Sequence, residues 1–125
     1  MANNILLTKS FNAGGALAAN SIVKVGANDY DVLQAAAVSD KLLGITTEVA
    51  SASGERADVI VIGIADLKIN GTVARGDQLT SDASGLGVTA APAAGTNNRI
   101  IGTALISGVA GDIIPVLVGP SMLQG

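Results

Sequence analysis

Cysteine, histidine and tryptophan are absent from this chain of 125 residues, and tyrosine and phenylalanine occur once each. Without cysteine there are no disulfide staples and no thiolate metal sites, and the redox compartment stays undetermined. Without histidine the commonest metal ligand and the commonest general base are both missing. Basic residues are few as well: seven Lys and Arg against ten Asp and Glu, a formal charge of -3. Lys9, Lys24, Lys41, Arg56, Lys68, Arg75 and Arg99 stand singly along the chain. Phosphate binding needs clustered cations, so nucleic acid is not an expected partner.

Long apolar runs are also missing, although 49% of the residues are hydrophobic. The longest stretch, Val59 to Ala65 counting its glycine, is far short of the roughly 20 residues a membrane helix needs. No membrane partner is expected. Met1-Ala2-Asn3-Asn4 carries no basic residue ahead of the first apolar ones, which does not resemble a secretory signal. Much of the apolarity is alanine, and aromatics make up 2%, so the core must be built from Val, Ile and Leu. Such a core is thin. Part of the apolar surface is therefore expected to be covered by another chain.

What the chain does have is glycine, and a Gly–acid turn that recurs beside a matching apolar run. Leu42-Leu43-Gly44-Ile45 leads through Gly54-Glu55 into Val59-Ile60-Val61-Ile62-Gly63. Ile100-Ile101-Gly102-Thr103 leads through Gly111-Asp112 into Ile113-Ile114-Pro115-Val116-Leu117-Val118-Gly119. The copies lie about 58 residues apart, too long for a solenoid rung and suited to two related halves of one domain. A third such turn is Gly76-Asp77. Gly54, Gly76 and Gly111 are expected at turn positions where a Cβ is unfavourable, with the following acids bracing the bend.

Turn signals every 8–12 residues predict an all-β fold, a small Greek-key-like barrel or sandwich of short antiparallel strands. Strands are expected at 22–25, 30–34, 42–49, 59–62, 66–69, 71–73, 78–80, 99–107 and 112–118. Val59 to Ile62 should be central and buried on both faces. Asn70-Gly71 reads as a tight hairpin, and Pro115 as the mark of an edge or bulge. A short helical turn fits within 32–41.

Residues 1–20 form a lead segment and 21–125 a single β domain. Ile5 to Phe11 is apolar enough for a strand, and Gly14-Gly15 with the following alanines would uncouple it from the rest. This suits an extended arm that adds to a partner's sheet edge, with Ile5, Leu7, Lys9 and Phe11 as contact residues. Ile5, Leu7 and Phe11 fall at odd positions, so regular alternation would set them on one face. A frayed terminus, or a strand closing the chain's own barrel, are the other readings of the same residues.

Candidate chemistry is sparse. Asp29-Tyr30-Asp31 would bring two carboxylates together, but Asn28-Asp29 fits a hairpin turn, and calcium requires about six to eight oxygens. Ser81-Asp82-Ala83-Ser84-Gly85 reads as an Asx or Ser turn. Gly85-Leu86-Gly87 lacks the strand, helix and third glycine of a dinucleotide site. Serine and threonine have no spaced basic partner. No catalytic residue, cofactor site or metal site is assigned. A carrier domain with two β halves would display a lysine at a hairpin tip, whereas Lys24 and Lys68 fall within predicted strands.

The ordered set Ile22-Val23, Leu42-Leu43-Gly44-Ile45, Gly54-Glu55, Gly63-Ile64-Ala65, Gly76-Asp77, Asp82-Ala83-Ser84-Gly85, Ile101-Gly102-Thr103, Gly111-Asp112 and Val116-Leu117-Val118 resembles the small capsid decoration, or cement, proteins of tailed bacteriophages. The resemblance covers about residues 20–119 and rests on short structural elements in order. It implies a non-enzymatic virion protein on the outer capsid surface, made in the bacterial host cytoplasm. It also implies a homo-oligomer, a trimer or in some phages a dimer, bridging subunits of the major capsid protein. A tail or fibre module and a small ligand-binding or carrier barrel are the alternatives.

Overall fold

The computed structural model describes residues 4–125. Met1, Ala2 and Asn3, the start of the lead segment, lie outside the described residues. Nine strands follow in order, and no helix occurs among the described residues: β1 (Asn4–Ala13), β2 (Ile22–Val25), β3 (Asp31–Gln34), β4 (Leu42–Thr46), β5 (Arg56–Lys68), β6 (Gln78–Ser81), β7 (Gly87–Thr89), β8 (Asn97–Ala104) and β9 (Ile113–Gln124). The fold is all-β. They form one mixed sheet in the order β1-β3-β2-β4-β5-β9-β8-β6-β7, and β1 also pairs with β5. That last pairing closes β1, β3, β2, β4 and β5 into a ring of hydrogen-bonded strands.

The repeat seen in the sequence is a repeat of topology. β2 forms a hairpin with β3 and pairs with β4, which pairs with β5; β6 forms a hairpin with β7 and pairs with β8, which pairs with β9. Register agrees too. Ile22 and Val23 lie opposite Ile45 and Gly44, as Gln78 and Leu79 lie opposite Thr103 and Gly102. The halves join where β5 meets β9, from Gly63 opposite Val118 to Lys68 opposite Ile113.

β5 is the spine. Its run of Val and Ile favours extended backbone. Ile60 lies between Thr8 of β1 and Ile45 of β4, and Gly63 between Ile5 of β1 and Val118 of β9. The strand serves two cores. Ala57 and Val59 pack with Ala13, Leu17, Val23 and Val32, whereas Ile60, Ala65 and Leu67 belong to a larger cluster with Ile22, Ile45, Ile69 and Leu79. Ile60 and Leu67 lie on opposite parities of the strand yet face the same core. Gly63, between them at φ 118°, supplies the backbone rotation that this change of face requires. Both cores are aliphatic.

Several expectations are corrected by pairing that local signals do not encode. β1 and β3 pair in parallel, and the lead strand hydrogen-bonds along β5 from Asn4 to Asn12. Ile62 is 48% exposed, so the apolar run of β5 is buried on both faces only as far as Ile60. Asn70-Gly71 forms a corner and not a hairpin: Ile69 bridges to Gly87 and Val73 to Gly108. There the Asn70 Nδ2 donates to Asp82 Oδ2 at 2.7 Å, and that contact fixes the bend. Pro115 lies in an interior strand, opposite Asp66 of β5. β8 ends at Ala104, opposite Val116, and the Leu105 N–H just beyond still donates to the Pro115 carbonyl at 3.1 Å, so the missing proline N–H forfeits a single bond at the strand's end. Residues 32–41 hold β3 and a turn.

Gly54, Gly76 and Gly111 have φ values of 87°, 90° and 91°. Each precedes an acid whose carboxylate accepts from the backbone N–H three residues back: Glu55 from Ala52 at 2.6 Å, Asp77 from Ala74 at 3.0 Å, and Asp112 from Val109 at 2.9 Å. A Cβ at Gly111 would meet no atom within 4 Å, so the penalty there is conformational alone. Gly111→Val is expected to destabilise the fold by about 1–3 kcal/mol. Thermal melting checks this, and an unchanged midpoint would contradict the turn's role.

Candidate functional site

The chain's two aromatic side chains meet at one end of the ring, on β1 and on the turn between β2 and β3. Phe11 is half-buried against the smaller core. Tyr30 is 66% exposed. Between them Lys9 extends its ammonium to 5.8 Å from the Phe11 ring centroid and 5.3 Å from that of Tyr30, within cation–π range. An open groove runs beside them, floored by Phe11, Val25 and Leu43 and walled by the 26–31 turn.

The four contact residues expected on the lead strand all pair along β5, in a register that is not regular throughout. Ile5 lies opposite Gly63, Leu7 opposite Ile62, Lys9 opposite Val59 and Phe11 opposite Ala57. The register shifts twice, between Ile5 and Leu7 and between Leu7 and Thr8. Between Leu7 and Thr8 the partner steps from Ile62 to Ile60, so Val61 of β5 is the extra residue there, and between Ile5 and Leu7 the extra residue is Leu6 of β1. Alternation predicts one face only for an unbulged strand, and these irregularities break the condition. Leu7 and Ile62, directly opposite each other, are each 48% exposed. Together they make a half-exposed apolar pair across β1 and β5. The outward edge of β1 from Asn4 to Phe11 pairs with no strand among the described residues.

The remaining polar candidates are structural braces. Asp31 Oδ2 accepts from Asn28 Nδ2 at 3.1 Å. Asp82 Oδ1 accepts from the N–H groups of Ser84 and Leu86, at 2.8 and 2.9 Å, so the 81–85 segment is an Asx-type turn. The Gly85-Leu86-Gly87 segment leads into β7. Burial tends to raise the Asp40 carboxyl, but the Ala36 N–H at 2.8 Å and the Lys24 ammonium at 3.3 Å outweigh it and hold Asp40 below its ordinary value. Among the described residues no three His, Cys, Asp or Glu side chains lie together as a metal site. No helix among them is long and apolar enough to cross a membrane.

Sequence reasoning missed Tyr30. The Asn28-Asp29 pair reads as the turn and the tyrosine as part of the returning strand, whereas Tyr30 is itself the left-handed residue of the turn, at φ 63°. The available signal was an Asn-x-x-Asp spacing that matches the x-x-Gly-acid turns elsewhere, with tyrosine in the glycine's place.

Among known proteins, the chain is similar in structure to the N base of the head fibre protein gp8.5 of bacteriophage phi29, with a TM-score of 0.65 and 14% sequence identity over 95% of this chain and 98% of that one. This likeness establishes a shared fold. No curated protein matches the sequence. A family model described as phage cement protein matches residues 1–118, nearly all of the two-half sheet and the lead strand with it. The chain belongs to the phage cement protein family, whose role is structural, in the virion.

Proposed function

We propose that this protein binds the outer surface of an icosahedral phage shell and stabilises it by bridging neighbouring subunits of the major capsid protein. The observation that carries the reading is the family match over residues 1–118. Physical features support it. An acidic β domain with an aliphatic core and an unpaired strand edge suits protein–protein contact. In this reading residues 1–20 act as the contact element on the 21–125 body, with Ile5, Leu7, Lys9 and Phe11 as its contacts to the capsid protein or a neighbouring protomer. The domain performs no catalysis and is made in the host cytoplasm before it joins the virion. Several weak contacts on one lattice suffice, because each attachment raises the effective concentration for the next.

Self-association is part of the proposal. The pair Leu7 and Ile62 is the candidate interface, since two half-exposed aliphatic side chains side by side are stabilised by a second chain. A trimer is expected, with a dimer as the other closed form. Light scattering should give a mass about three times the 12.2 kDa chain, and Ile62→Asp should lower it. A stable monomer in the parent protein at micromolar concentration would contradict the oligomer.

A second reading, a base that anchors a head fibre, draws on the fold shared with the phi29 fibre base. Electron microscopy of shells decorated with the protein separates the two. Cement gives compact knobs at lattice positions, and a fibre base gives knobs from which a further polypeptide projects.

A further inference from the structure

Five turns in this chain have the same construction: a carbonyl accepting from the N–H three residues on, with the third residue at positive φ. They are Asn28–Asp31, Ala52–Glu55, Ala74–Asp77, Ala93–Thr96 and Val109–Asp112. Four place glycine at the third position: Gly54, Gly76, Gly95 and Gly111. The fifth places Tyr30 there, at φ 63°. A bulky side chain is unfavourable in that region, and the same chain shows that glycine fills the position when only a turn is needed. Tyr30 is not retained for packing either, because its ring is 66% exposed. Backbone strain of this kind persists where the side chain serves contact or function.

What lies beside the ring indicates the contact. Lys9 holds its ammonium over Tyr30 and Phe11, and no acidic side chain lies within ion-pair distance of it among the described residues, where the one ion pair joins Lys24 to Asp40. A half-buried Phe11 backs the pair, and the turn that carries Tyr30 is braced by Asn28 and Asp31. An exposed tyrosine on a fixed turn, next to a cation positioned by two rings, has the composition and rigidity of an interface anchor. We infer that Tyr30 inserts into an apolar recess on a partner protein surface, and that a carboxylate at the rim of that recess takes up Lys9. Given the reading proposed above, that partner is the capsid shell protein.

The experiment compares the full-length parent with Tyr30→Gly, Tyr30→Phe and Lys9→Gln in sedimentation titrations on DNA-filled capsids, each variant also being melted thermally. Tyr30→Gly removes the strained residue, so its melting temperature should equal or exceed the parent's while capsid affinity falls about 30-fold. Tyr30→Phe should bind within about threefold of the parent. Lys9→Gln should bind more weakly and lose part of the parent's salt dependence. Undiminished binding by Tyr30→Gly overturns the contact and leaves the capsid reading intact. A large drop in its melting temperature also overturns it, by showing a structural role. Unaltered salt dependence in Lys9→Gln overturns the carboxylate at the rim. Absence of binding by the parent itself rejects the capsid reading, and this contact with it.

Discussion

Gly102→Val is expected to prevent folding, or to destabilise the protein by an amount on the order of 4 kcal/mol or more. A Cβ built on Gly102 falls onto the carbonyl oxygen of Leu117 in the neighbouring strand, and Val116 Cγ1 lies 3.1 Å away. The obstacle is backbone in a ladder closed on both sides. β8 sits between β6 and β9, so neither neighbour can retreat without losing hydrogen bonds to a further strand. Gly44, its counterpart in the other half, is confined in the same way: a Cβ there lies 2.5 Å from Ile60 O and 2.6 Å from Val59 Cγ1. Gly119→Ala is the control, because that Cβ meets nothing within 4 Å. It should shift stability by no more than about 0.5 kcal/mol. Urea unfolding of the soluble fraction measures both; a Gly102 variant as stable as the control would show that the close approach has been misread.

The second large effect is expected from deleting residues 2–12. An arm that merely hangs from the domain would leave the melting temperature unchanged. β1 instead flanks β5 from Asn4 to Asn12 and closes the ring through Asn12 and Ala13 against β3. Its removal would expose one edge of β5 and take Phe11 away from the smaller core. Ser10 Oγ would no longer donate to Asp58 Oδ1, a contact of 2.8 Å. The truncated chain should therefore be insoluble, or melt well below the full-length protein without a single cooperative transition. Circular dichroism on the refolded fragment decides between the outcomes, and full-length stability in the truncated chain would mean that β1 is dispensable to the fold.

Local chemistry made much of this legible in advance. The x-x-Gly-acid turns are written in adjacent residues, and the apolar runs of β5 and β9 follow them at nearly the same spacing, so the two halves could be read directly. Pairing across long separations could not. Whether Ile5 to Phe11 meets its own sheet or another depends on which edge of β5 is vacant, a property of the assembled ring. The face of Leu7 depends on register shifts that leave no mark on an alternating sequence. Asn70-Gly71 carries a hairpin signal, but the strand that follows it pairs elsewhere, so the tertiary context overrides the local preference. Tyr30 was hidden for another reason. A residue forced into a left-handed turn contradicts its own propensity, and such contradictions mark contact sites more often than errors of folding.

The most direct test of the account is sedimentation of the purified protein with DNA-filled capsids, stripped of their own decoration, from the phage that encodes it. A shell-stabilising protein should pellet with them at a saturating ratio fixed by the lattice, and decorated shells should withstand higher temperature before releasing DNA. Protein left wholly in the supernatant, with the release temperature unchanged, would contradict it.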